Sequence, residues 1–108
     1  MLRAIYVRTL QPGITDEQFL AAWMPEQHTR SSYPAAVTVA RSLANPRQVL
    51  STFDIDVDPG QFTEMLPDLV HPESETRLAE IVETTEIEGL FAVVDHFGDG
   101  DHTPGSTR

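Results

Sequence analysis

The chain has 108 residues, 40% of them hydrophobic and 22% charged, which is the composition of one globular domain and not of a disordered or fibrous segment. Its formal net charge of -10 comes from 17 acidic residues against seven arginines, with no lysine at all. That balance repels nucleic acid phosphates and anionic lipid, and leaves no side-chain amine for Schiff-base chemistry.

No cysteine is present, which removes disulfides, thiolate nucleophiles and cysteine-based zinc sites. The charged strand-like start, with Arg3 and Arg8, is unlike a signal peptide, and no run approaches the roughly 18 apolar residues of a membrane span. A cytoplasmic setting with no nucleic acid or membrane partner is expected.

In chain order, residues 2–10 (LRAIYVRTL) are rich in β-branched and aromatic residues and predict a strand, closed by the turn at Pro12-Gly13. The segment ITDEQFLAAWM predicts a helix. Thr15 and Gln18 have the spacing of a capping box, Ile14 can staple onto Phe19, and Phe19, Leu20 and Trp23 form an apolar stripe that Pro25 must end or kink. AVTVARSL and QVLSTFDIDV, separated by Asn45-Pro46, predict a β-hairpin. Asp58-Pro59 starts a short helical stretch that Pro67 should cut to a turn or two, and His71-Pro72 opens the main second helix, expected over residues 72–84. A last strand is expected from Ile87 to Phe97, leaving residues 98–108 as a disordered tail outside a domain of residues 1–97.

The order β-α-β-β-α-β predicts a ferredoxin-like α+β fold, a four-stranded antiparallel sheet with helices on one face. Both faces of the last strand are apolar. The face without helices therefore calls for a second sheet, and a homodimer through the sheet is the economical way to supply it.

The segment GITDEQFLAAWMPEQH resembles the first helix of the dimeric α+β barrel superfamily, in its EthD-like and antibiotic-biosynthesis-monooxygenase-like branch, where an "eeF..yW...H" pattern recurs. Phe19, Trp23 and His28 stand in those places, His28 one residue beyond the commonest spacing. LPDLVHPES is similar to the segment before the second helix of the stress-responsive barrels, which include a polyketide cyclase. The tyrosine and histidine of that cyclase are replaced here by Asp68 and Ser74. The resemblance implies a homodimer with a pocket in each subunit between sheet and helices. It also implies a range of activities, from cofactor-free oxygenation of polycyclic aromatics through cyclisation and dehydration to haem chemistry.

Among the residues themselves, His28 and His71 are the acid/base candidates, since imidazole titrates near neutrality and both lie at helix breaks. Against this, His28 can be a surface residue past a frayed helix and His71 a cap for the helix at Pro72. Trp23 and Tyr33 could stack on a flat ligand, Arg8 and Arg41 could receive an anionic oxygen, and His96 is a weaker binding candidate. The competing readings are a core tryptophan, and strand arginines salt-bridged to Asp54 or Asp95 across a dimer. Asp54, Asp56 and Asp58 imitate a calcium loop, but Met65 stands where the bidentate glutamate belongs, and no histidine spacing suits zinc; no metal and no cofactor are expected. The function expected is a small cofactor-independent enzyme for a hydrophobic, aromatic or polyketide-like metabolite. A non-catalytic ligand-binding or accessory dimer and a haem-binding barrel are the alternatives.

Overall fold

The computed structural model describes residues 1–29 and 31–98. The predicted tail from residue 99 on, with His102, lies outside them. Four strands, β1 (Leu2–Leu10), β2 (Ala36–Arg41), β3 (Gln48–Ile55) and β4 (Val82–Ala92), form one antiparallel sheet in the order β2-β3-β1-β4. Three helices, α1 (Asp16–Trp23), α2 (Pro59–Leu69) and α3 (Ser74–Ile81), complete the ferredoxin-like α+β fold, α2 being a full helix where the sequence pattern announces only a turn or two. No helix among the described residues is long and apolar enough to cross a membrane.

Local signals place the helix starts. Thr15 and Gln18 make both bonds of the capping box at α1, and Asp58 and Gln61 make the same pair at α2, with Pro59 in the first turn. Pro67 does not shorten α2 as expected. It lies inside the helix, two residues before its end at Leu69, so it forfeits one bond to the Thr63 carbonyl while the rest of the three-turn helix, started by the Asp58 capping box, stays formed.

The second correction concerns α3 and β4. The expected helix over 72–84 stops at Ile81 and the strand begins at once with Val82, five residues earlier than predicted, ending at Ala92 and not at Phe97. Leu78, Ile81 and Val82 fit a helical stripe, but Val82 pairs with Leu10, and Thr84 and Thr85 with Thr9 and Arg8, so β1 claims these residues. Bulges between Val7 and Arg8 and between Thr9 and Leu10 absorb the mismatch.

Strand alternation divides the sheet. Leu2, Ala4, Tyr6, Arg8 and Leu10 on β1, with Val49, Ser51, Phe53 and Ile55 on β3, share the face under the helices. Ile5, Val7, Leu50, Ile87 and Phe91 lie on the other, uncovered face, and Leu50, Ile87 and Phe91 are exposed.

Arg3 and Asp54 pair on that open face through a two-pronged bond, Nε to Oδ1 at 2.7 Å and Nη2 to Oδ2 at 2.9 Å. The arginine's hydrogen bond holds the Asp54 carboxyl below its ordinary range. Stability from a depressed carboxyl is present above its unfolded pKa and is lost as pH falls through the folded one. Both side chains are partly exposed, so Asp54→Asn should cost only about 0.5–1 kcal/mol near neutrality and almost nothing once the wild-type carboxyl is protonated. Urea titrations at the two pH values check this; an equal loss at both would remove the ion pair as its cause.

Candidate functional site

The helix face of the sheet is not fully filled. Between it and the α2–α3 layer lies a cavity of about 610 Å³. Its floor is Tyr6 and Arg8 of β1 with Ser51 and Phe53 of β3, brought together because Tyr6 is the register partner of Ser51 and both strands alternate in step. Leu66, Val70, Leu78 and Ala79 roof it, Trp23 of α1 closes one side, and Glu75, Glu83 and Glu88 stand among its walls.

Arg8 is 9% exposed, and its guanidinium lies over the Tyr6 ring, 4.4 Å from the centroid. Burial pulls the Arg8 pKa down, while the charges of Tyr6 and Glu88 act the other way. Burial likewise raises the Tyr6 phenol, against the pull of Arg8. Arg8 forms no ion pair and no side-chain hydrogen bond among the described residues.

A second cavity of about 420 Å³ lies between α1 and β2, lined by Leu20, Met24, Tyr33, Val37 and Val39, and Trp23 is the wall common to both. The indole stacks on Phe53 (6.4 Å, 20°) and meets Tyr33 (5.9 Å, 85°) and Phe19 (6.3 Å, 60°) edge-on. Trp23 is thus both core and cavity wall. The Tyr33 hydroxyl donates to the Leu69 carbonyl, and burial pushes its phenol far up.

The other sequence candidates stand apart from this cavity. His28 follows the Pro25 break, its ring edge-on to Tyr33 at 6.0 Å, with a buried Nε2 that has no partner among the described residues. His71 is buried where α1 meets α3. Its Nδ1 accepts the Glu73 N–H at 3.0 Å, so Nε2 carries the proton and donates to Glu26 at 3.2 Å, while its backbone N–H donates to the Trp23 carbonyl. This is the capping arrangement, placed ahead of a helix whose own N-cap, Glu73, offers no side-chain bond.

Arg41 is not a lone charge in an apolar sheet. It ends β2 and binds Asp16 at 2.9 Å and the Ile14 and Pro46 carbonyls. The expected partners Asp54 and Asp95 are therefore corrected to Asp16 for Arg41, and Asp54 belongs to Arg3 of the same chain. His96 lies exposed beyond β4, near enough to Asp54 for its charge to be felt there. No group of three or more histidine, aspartate or glutamate side chains among the described residues could hold a metal ion. The sequence reading missed Tyr6, Ser51, Phe53 and Glu88; the signal for Tyr6 was its two-residue spacing from Arg8, but the others need the strand register.

Chemically, the cavity offers aromatic walls for a planar ring, a buried cation in the floor and carboxylates at the side. No protein-family model matches the chain, and no curated protein matches it significantly. Among solved structures, it is similar to a protein provisionally described as an antibiotic biosynthesis monooxygenase from Chloroflexus aurantiacus J-10-fl. The TM-score is 0.59 over 92% of this chain and 98% of that one at 18% identity, which is likeness of fold.

Proposed function

We propose that the protein is a small oxygenase-like enzyme, working as a homodimer through its open sheet face and without a resident cofactor on a hydrophobic, aromatic or polyketide-like metabolite. The observation that carries this reading is the 610 Å³ cavity walled by Trp23, Phe53 and Tyr6, a size and lining suited to a flat apolar molecule. Fold likeness to the Chloroflexus protein agrees with it.

In this reading Arg8 stabilises negative charge on the ligand, and His28 or His71 moves a proton. Neither histidine lines the cavity, so their part has to be shown by substitution. Loss of turnover in His28→Ala or His71→Ala with the fold intact would assign the proton step. Full turnover in both would leave it to cavity residues such as Glu88. The same placement favours a second reading, a ligand-binding protein without turnover. It does not favour a histidine-ligated haem, since no histidine lines either cavity.

Native mass spectrometry of gently purified protein tests the proposal. Twice the 12.0 kDa chain mass, with a bound molecule of a few hundred daltons per subunit, is the expected result. A bare monomer would overturn it.

A further inference from the structure

We infer that the ligand of the sheet–helix cavity is a planar aromatic monoanion whose oxyanion is held by Arg8 and Ser51, an inference that rests on the cavity being the functional site. A buried cation is costly unless a partner compensates it. Arg3, Arg41, Arg47 and Arg77 each pair with a carboxylate, on Asp54, Asp16, Glu83 and Glu26 respectively. Arg8, buried in the sheet floor, is the one described arginine that does not. Its guanidinium face is covered by the Tyr6 ring, which leaves the N–H edges as unused donors.

Ser51 supplies a second, independent observation. It is 4% exposed, lines the same floor, and its hydroxyl has no hydrogen bond among the described residues. Arg8 pairs with Val49, so Ser51 is its diagonal neighbour on the same face, a spacing of about 7–8 Å that one oxyanion group can bridge. Two donors without a protein acceptor, on one floor and open to the cavity, are complementary to an anion and not to a cationic group. The aromatic body of the ligand follows from Tyr6, Phe53 and Trp23 around them.

The charge of the ligand is limited from the other side. Glu75, Glu83 and Glu88 also line the cavity, so a second negative charge on the ligand would face carboxylates, of which Glu83 is paired with Arg47 and Glu88 is offset only by the charge of Arg8, without a contact ion pair.

Trp23 is the single tryptophan and a cavity wall, so its emission reports occupancy. The protein is titrated with an anthracene carboxylate, the corresponding anthracene alcohol and an anthracene dicarboxylate, read by energy transfer from Trp23. The monocarboxylate should bind about tenfold or more tighter than the alcohol, as expected for a charge-assisted bond, and tighter than the dicarboxylate. Arg8→Met should abolish the preference, and Ser51→Ala, a change too small to threaten the fold, should reduce it several-fold. Equal affinity for acid and alcohol in the wild type, or a preference that survives in a folded Arg8→Met protein, would overturn the anion inference and leave the aromatic cavity standing. Binding of none of the three probes would overturn the cavity reading and this inference with it.

Discussion

Replacing Phe53 with alanine is expected to lower the unfolding free energy by about 3–5 kcal/mol, the largest loss we foresee for one substitution outside the proposed anion site. The ring is 3% exposed and is the hub of the aromatic core. It stacks on Phe62 (6.1 Å, 16°) and on Trp23, lies tilted on Tyr6 (6.0 Å, 35°) and meets Tyr33 edge-on (6.5 Å, 75°). Its truncation removes apolar contact from both helix-facing strands and opens a void next to the existing cavity. Water can enter such a void, which moves the cost toward the lower end of the range. Leu69→Ala is the control: Leu69 is fully buried but lines neither cavity, so it should cost a comparable 2–5 kcal/mol while sparing aromatic ligand binding. Urea unfolding gives the stabilities and Trp23 energy transfer the binding. Equal binding losses in the two variants would mean that Phe53 acts on the ligand only through general stability.

How far such effects could be read beforehand depends on where the determining partner lies. The start of α1 was legible because Thr15 and Gln18 carry their reason within one turn, and the hairpin because Asn45-Pro46 separates two β-rich runs. The α3–β4 junction was not, since Leu78, Ile81 and Val82 satisfy a helical spacing locally and only pairing with Leu10 decides for the strand. Pro67 misled because a proline inside a helix forfeits one bond without ending a helix that its capping box has started. At the site, Arg8, Trp23 and Tyr33 stood out by chemistry alone. Arg41 stood out for the same reason and proved to be tied to Asp16, 25 residues away, a partner that only the docking of α1 beside β2 supplies. Phe53 and Ser51 looked like ordinary strand residues. They come to line the cavity through the register that sets Ser51 against Tyr6 and Phe53 against Ala4.

A charge placed in the middle of the open face, Leu50→Asp, is expected to convert a dimer into a folded monomer of 12.0 kDa. Leu50 is 37% exposed in the isolated chain and lies beside Val7, which in turn pairs with Ile87, while Ile5 and Phe91 continue the apolar surface. The two possible settings of this residue predict opposite energetics. If the face meets water, exchanging an exposed leucine for aspartate changes stability by no more than about 0.5 kcal/mol and leaves the assembly as it was. If the face packs on a second copy, symmetry puts two buried carboxylates into one interface with no cation to compensate them, at a cost of several kcal/mol to association. Arg3, the arginine on this face, is already engaged by Asp54. Native mass spectrometry reads the assembly and the urea midpoint reads the fold. A variant that stays dimeric would show that the protomers meet elsewhere, and the uncovered apolar face would then need another partner.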